Sequence, residues 1–134
     1  MRIFPLLRMQ YADDLYDEPG SVPEGRVSCR RRRQLRRLRV LDAFFVKYSA
    51  AGGQKRLPLH SDESEYSLTI AMNSLCEYEN GGTYFFESDR VKKTDTGGII
   101  SFEGECEHAG EAITSGTRYI IVVFLYSEAV GSDL

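Results

Sequence analysis

Two histidines and one aspartate are the residues of this sequence best suited to bind a metal. His60 and Asp62 lie two positions apart in the extended-looking stretch 57–62. Residues two apart on a β-strand point to the same face, so this pair presents an imidazole and a carboxylate side by side. The sequence contains 2 histidines, which leaves His108 as the one candidate for a second imidazole. Two imidazoles and one carboxylate can hold iron(II) on one face and leave three positions open.

The histidine–aspartate pair is weak evidence when taken alone, because short polar motifs of this kind are more often solvent-exposed surface. The sequence after His108 strengthens the metal hypothesis. Arg118 follows ten residues later and stands at the head of the apolar run 119–125. Taken alone, an arginine in this position would be a solvent-exposed residue at a strand end. Its spacing from His108 is what makes it informative.

The order of these residues resembles the iron(II)- and 2-oxoglutarate-dependent dioxygenases. Within that superfamily it is most similar to the prolyl 4-hydroxylase and procollagen lysyl hydroxylase branch. The resemblance covers roughly Leu41 to Tyr126 and includes a tyrosine before the histidine–aspartate pair, although at a slightly different spacing. It also includes a strand ending in asparagine, a glycine-pair hairpin and two later strands. The matching segments are Tyr48, 67–73, 79–86, 97–102 and 108–119.

The resemblance implies a role for each candidate residue. His60, Asp62 and His108 would bind Fe(II), with no further catalytic residue beyond the metal site. A second group of residues would bind 2-oxoglutarate, and Arg118 is its expected cation. The other expected members of that group are Tyr48, Thr83 and Asn73.

The resemblance also implies a reaction. Such an enzyme would hydroxylate a C–H bond, here expected in a peptidyl prolyl or lysyl residue, and release succinate and carbon dioxide. Ascorbate is an expected accessory reductant. Halogenase relatives carry a small residue in place of Asp62, so the carboxylate favours hydroxylation. Nucleic-acid demethylases carry a second arginine where this sequence has Phe124, which disfavours a nucleic-acid substrate.

Two other functions are compatible with the same residues. The chain could be a catalytically silent jelly-roll binding module that recruits an acidic partner through a basic arm. It could also be a cupin-like protein that holds zinc or manganese without 2-oxoglutarate. The oligomeric state is open on either hypothesis.

The composition favours one β-rich domain. The 134 residues are 42% hydrophobic, with 8 Tyr, 7 Phe and no Trp, which suits strands and a single core. The net charge of −3 does not favour a polyanion partner. The cysteines are Cys29, Cys76 and Cys106, an odd number without C-x-x-C spacing, which argues against a disulfide framework.

The first 39 residues are predicted to be an irregular or helical arm. Seven of the ten residues in 30–39 are arginine, which predicts either a solvated face or a patch for nucleic acid or for an acidic protein or peptide. The solvated face would be anchored at helical spacing by Leu35, Leu38 and Leu41. Neither a signal peptide nor an apolar run of about 20 residues is visible, which favours a cytoplasmic location.

Short strands separated by glycine turns predict an antiparallel barrel or sandwich over residues 40–126. The resemblance narrows this prediction to a double-stranded β-helix, or jelly roll. The tail 127–134 is expected to fray. The predicted strands are 40–48, 57–62, 67–73, 84–87, 91–96, 99–102 and 118–126.

Overall fold

The computed structural model describes residues 36–130, and nearly all of their regular structure is β-strand. A single turn of 3-10 helix, Leu75–Glu77, lies between the third and fourth strands. Predictions that fall on residues 1–35 and 131–134 lie outside the described residues. The strands are β1 (Arg36–Ser49), β2 (Leu57–His60), β3 (Tyr66–Ala71), β4 (Tyr78–Asn80), β5 (Thr83–Phe85), β6 (Arg90–Lys92), β7 (Ile99–Glu103), β8 (His108–Gly110) and β9 (Ile113–Ala129).

The strands form two antiparallel sheets. The larger sheet has the order β1-β9-β3-β7, and β4 pairs with β9 beside it. The smaller sheet has the order β2-β8-β5-β6. This arrangement confirms the predicted jelly roll, in which two sheets share one core.

The core is built around β3, which lies between β9 and β7 and therefore has both edges paired. Five of its six residues are buried. The most deeply buried apolar side chains, Leu68 and Leu125, belong to β3 and β9. A second cluster joins Tyr48 and Ile120 to two other buried side chains, and it lies next to the candidate site residues of β1 and β9.

The first strand begins at Arg36, four residues before the predicted start, and pairs with β9 along its whole length. The helical spacing predicted for Leu38 and Leu41 is wrong, because both residues lie in β1. A change of register between Val40 and Asp42 marks a β-bulge at this point. The basic side chain of Arg39 donates a 2.6 Å hydrogen bond from Nε to Glu128, so this end of β1 is tied to β9.

Several strand ends differ from the predictions. β2 ends at His60, not at residue 62, and β9 runs to Ala129, so the predicted fraying from residue 127 is wrong up to that point. The three-residue strands β4 and β8 were not predicted. Strands this short contain too few residues for alternation to be visible. Within residues 36–130, no helix is long and apolar enough to cross a membrane.

Candidate metal centre

His60 and His108 meet because their strands are neighbours. His60 is the last residue of β2 and His108 is the first residue of β8, and the two residues are paired across the antiparallel ladder. Their ring centroids are 4.4 Å apart. Asp62 lies two residues beyond β2, in the connection to β3. One ligand atom from each of the three residues lies within 4.8 Å of the others.

The carboxylate of Asp62 is fixed between the two imidazoles. Oδ1 is 3.4 Å from Nε2 of His60, and Oδ2 is 3.6 Å from Nε2 of His108. The backbone N–H of Asp62 donates to the carbonyl of Gly104 at 2.8 Å, and the hydroxyl of Ser67 donates to Oδ2 at 2.6 Å. Both bonds join Asp62 to residues outside β2. These contacts therefore bring Asp62 next to His60, and two-residue alternation along β2 does not.

Both histidines are held by hydrogen bonds that leave Nε2 available to a metal. Nδ1 of His60 lies 2.7 Å from the carbonyl oxygen of Pro58, and Nδ1 of His108 lies 2.8 Å from that of Cys106. A carbonyl oxygen can only accept, so each Nδ1 carries the hydrogen in the neutral ring. Each Nε2 then has a free lone pair directed toward Asp62. Metal-binding histidines are commonly oriented by a hydrogen bond of this kind.

Burial favours the neutral form of His108. Burial lowers the pKa of its imidazole, and the neighbouring ring of His60 lowers it further. The hydrogen bond to Cys106 and the charge of Asp62 act in the opposite direction, but the net pKa is below the ordinary value. The ring of Phe102 packs 4.6 Å from the His108 ring and forms part of the apolar wall. The donor set is two imidazole nitrogens and one carboxylate, which fits iron(II).

Arg118 is a buried cation close to the same strands. Its exposed fraction is 4%, and Nη1 donates to the carbonyl of Gly82 at 3.2 Å. The guanidinium lies 5.2 Å from the centroid of the Tyr48 ring, and Tyr48 pairs with Arg118 across β1 and β9. Among residues 36–130, no carboxylate lies within 4.0 Å of it. A buried cation with unused donors and no counter-ion is suited to bind an organic anion.

Tyr48 contacts this cation and also lies against Gly110, and Thr83 lies beside the same glycine. A side-chain carbon at Gly110 would lie 2.5 Å from the Tyr48 hydroxyl, so the glycine permits this close contact. Thr83 is buried and pairs with Gly110 across β5 and β8. Within residues 36–130, no hydrogen bond joins either hydroxyl to another residue, and neither oxygen is fully enclosed, since every fully buried side-chain oxygen and nitrogen has a partner. Burial raises the pKa of Tyr48 despite the opposing effect of Arg118, so its hydroxyl keeps its proton and can donate.

The Tyr48 hydroxyl lies against a residue that is one strand repeat away from His108. His108 and Gly110 are the two ends of β8, and a two-residue step along a strand is about 7 Å. This is close to the length of a five-carbon diacid. The Tyr48 ring occupies the space next to Gly110.

The fourth predicted cosubstrate residue, Asn73, is engaged elsewhere. Its Nδ2 donates to the carbonyl of Thr117, and its Oδ1 accepts from the N–H of Tyr119, both at 2.8 Å. Its amide thus contacts the backbone of β9 on both sides of Arg118, and the structure does not bring it to the acid site with Tyr48 and Thr83.

Two residues of the site were missed in the sequence. Ser67 is fully buried and donates a hydrogen bond to Asp62. The feature of the sequence that could have indicated this role is a serine at the start of the apolar run of β3. Gly110 follows His108 by two positions, and a glycine at this spacing in an extended segment signals close approach of another group.

Fold and site together define a class of protein. A jelly roll that brings together two imidazoles, a carboxylate and a buried arginine has the residue set of the iron(II)- and 2-oxoglutarate-dependent dioxygenases. A solved oxidoreductase of the 2OG-Fe(II) oxygenase family from Burkholderia pseudomallei has the same fold, with a TM-score of 0.56 and 14% sequence identity. The alignment covers 66% of this chain and 45% of that chain.

The sequence is similar to the procollagen lysyl hydroxylases in particular. It is 35% identical over 91 residues to a procollagen-lysine,2-oxoglutarate 5-dioxygenase of Drosophila melanogaster. It is 36% identical over 86 residues to a multifunctional procollagen lysine hydroxylase and glycosyltransferase of Caenorhabditis elegans. These alignments cover 65% and 61% of this chain and 12% of each relative. No protein-family model matches the sequence. The similarities confirm the predicted resemblance to this superfamily.

Proposed function

We propose that this chain carries the core of an iron(II)- and 2-oxoglutarate-dependent dioxygenase that hydroxylates a C–H bond of a peptidyl lysyl or prolyl residue. Succinate and carbon dioxide are the proposed co-products, and residues 40–126 are the proposed oxygenase core. One observation carries the proposal. Two imidazoles and one carboxylate converge at the His108 end of β8, and Tyr48 lies against Gly110 at its other end. Tyr48 contacts the buried Arg118, which has no counter-ion in the described residues.

His60, Asp62 and His108 are the proposed ligands of Fe²⁺. Bound iron(II) would supply the oxidising chemistry, together with oxygen and the cosubstrate. The protein's part is to hold the three ligand side chains. Hydrogen bonds from Nδ1 keep both rings in one tautomer, and Ser67 keeps one carboxylate oxygen in place. The three remaining positions of the metal would be available to cosubstrate and oxygen.

Arg118 is proposed to bind the distal carboxylate of 2-oxoglutarate. Its buried position strengthens the charge-assisted hydrogen bonds, since little water competes for them. Tyr48 and Thr83 are the proposed hydroxyl donors to the same carboxylate. Ascorbate as an accessory reductant, and a peptide as the substrate, are proposed from the resemblance to the lysyl hydroxylases.

The direct test is formation of succinate from 2-oxoglutarate. Purified protein would be supplied with Fe²⁺, 2-oxoglutarate and ascorbate, with and without lysine- and proline-containing peptides, and succinate would be measured by mass spectrometry. We expect succinate from the native chain and a loss of at least about 100-fold in His108→Ala, because a ligand is removed.

Binding of 2-oxoglutarate provides a test that does not depend on the peptide. With Mn²⁺ in place of iron, calorimetry should detect 2-oxoglutarate binding to the native chain and not to Arg118→Gln. Absence of binding in the native chain, or equal binding in the two proteins, would contradict the proposal.

A further inference from the structure

The side chain of Asn73 continues a β-ladder after the backbone of its strand has ended. The last pair of β3 with β9 joins Ala71 to Ile120, and the N–H of Met72 then donates to the carbonyl of Tyr119 at 2.9 Å. A side-chain amide offers a donor and an acceptor, as a peptide group does. The two 2.8 Å bonds of Asn73 therefore occupy the positions where another strand residue would pair with β9.

The main chain cannot make these bonds itself, because it turns away after Asn73. Ser74 caps the short 3-10 helix, with its hydroxyl accepting from the N–H of Cys76 and its own N–H donating to Glu77. This capping box fixes the direction in which the chain leaves β3. On this edge of β9, the pairs with β3 end at Ile120 and the pairs with β4 begin at Gly116, and the Asn73 amide binds between them.

The two peptide groups that Asn73 binds lie on either side of Arg118. They are the carbonyl of Thr117 and the N–H of Tyr119. The other edge of β9 is paired with β1, where Tyr48 is opposite Arg118. At Arg118, β9 thus pairs with a strand on one edge, whereas on the other edge this residue lies in the gap between β3 and β4 that the Asn73 amide bridges.

The guanidinium itself has few contacts that could fix its direction. Among residues 36–130 it makes one hydrogen bond, to Gly82 at 3.2 Å, and it lies over the ring of Tyr48. The position of its charge therefore depends strongly on the backbone from which the side chain starts. A bidentate bond to a carboxylate is sensitive to that position, because both N–H groups must align together.

We infer that Asn73 is a positioning residue that holds Arg118 in place for the distal carboxylate of the cosubstrate. This inference rests on the proposed function. It replaces the predicted contact of Asn73 with the cosubstrate by an action through the backbone of β9. Loss of the amide should weaken recognition of the distal carboxylate and leave the metal site unchanged, since no contact joins Asn73 to His60, Asp62 or His108 among the described residues.

The test compares two ligands that differ at one end. The compound 2-oxopentanoate has the keto-acid end and the chain length of 2-oxoglutarate, but a methyl group replaces the distal carboxylate. Affinities for both would be measured by calorimetry with Mn²⁺ bound. In Asn73→Ala we expect roughly tenfold weaker binding of 2-oxoglutarate. This is about the effect of losing one hydrogen bond between Arg118 and the distal carboxylate. We expect unchanged affinity for 2-oxopentanoate and for Mn²⁺.

A matched control and a second variant separate positioning from general damage to β9. Thr114→Val removes the 2.7 Å hydrogen bond from Asn80 to the same strand, four residues before Arg118, and should leave both affinities within about twofold. Asn73→Gln keeps the amide but displaces it by one methylene group. It should also weaken binding of 2-oxoglutarate selectively, and it provides the test if Asn73→Ala does not fold.

Arg118→Gln distinguishes failure of this inference from failure of the proposed function. If Arg118→Gln abolishes the preference for 2-oxoglutarate while both Asn73 variants retain it, the positioning role is wrong and the proposed function stands. Equal losses for 2-oxoglutarate and 2-oxopentanoate in the Asn73 variants would also overturn the positioning role. If the native chain shows no preference, the proposed function fails and the inference fails with it.

Discussion

The candidate metal centre and the candidate acid site are built in different ways. Each histidine of the metal centre is oriented by a carbonyl only two residues earlier in the chain, at Pro58 and at Cys106. Arg118 is held by residues that are far away in sequence, with Gly82 36 positions away and Asn73 bonded to peptide groups 44 and 46 positions away. The orientation of the two imidazole rings thus depends on short local segments, whereas the position of Arg118 depends on contacts between distant parts of the chain.

This difference predicts that the two sites can be damaged separately. The largest effect is expected for Asp62→Ala, which removes the carboxylate between the two imidazoles. We expect Mn²⁺ affinity to fall by at least about 100-fold, because a charged ligand is lost. Electron paramagnetic resonance of free Mn²⁺ would measure this change. Retention of tight Mn²⁺ binding would show that the ion binds elsewhere.

Gly110→Ala should damage the acid site and not the metal centre. The added carbon would lie 2.5 Å from the Tyr48 hydroxyl, so the ring must move away from Arg118. We expect 2-oxoglutarate affinity to fall roughly 10- to 100-fold, since overpacking of this kind costs about 1–3 kcal/mol. Calorimetry would measure it.

Mn²⁺ affinity of the same Gly110→Ala protein is the internal control and should stay within about twofold of native. A parallel loss of metal affinity would mean that the two sites are not independent along β8.

Ser67→Ala should have the reverse selectivity. The variant removes the 2.6 Å hydrogen bond to Asp62 and leaves the ligands themselves in place. We expect Mn²⁺ affinity to fall about tenfold, which is typical when a partner of a metal ligand is removed. Ser67→Thr, which keeps the hydroxyl, is the matched variant and should retain more of the affinity. Equal losses in the two variants would point to packing as the cause.

The smallest expected effect is a pH dependence of stability in the metal-free protein. The pKa of His108 is lowered in the folded state from an ordinary value of 6.5, so the unfolded chain binds a proton more readily. Stability should therefore fall as the pH drops below about 6.5, until the folded-state pKa is passed. Denaturant unfolding at several pH values would measure the slope. His108→Gln should show a shallower slope, and an unchanged slope would assign the effect to other groups.

The sequence identified the metal centre better than its surroundings because side-chain chemistry is local. His60, Asp62 and His108 could be recognised by residue type, and the structure brings them together. Two-residue alternation along a strand does not explain the approach of Asp62 to His60, since β2 ends at His60. Asp62 is held by bonds from its backbone N–H to Gly104 and from Ser67 to its carboxylate. Those bonds connect a loop to other strands, and spacing within one strand cannot reveal them.

The contacts of the acid site could be predicted from the sequence only in part. Arg118 and Tyr48 were recognised from the family pattern, but the bonds of Asn73 to β9 depend on strand pairing.

The arginines at the start of β1 suggested a separate arm. They fit an edge strand because most side chains of β1 are exposed on both faces and tolerate charge.

The hydrogen bonds from both Nδ1 atoms also bear on how quickly an ion could enter. Each ring of His60 and His108 already carries its hydrogen on the nitrogen remote from Asp62. Neither ring must flip or exchange its hydrogen between nitrogens when a divalent ion arrives. The rate of metal binding near neutral pH should then be limited by the loss of water from the hydrated ion. This rate should be about the same in viscous solution as in dilute buffer.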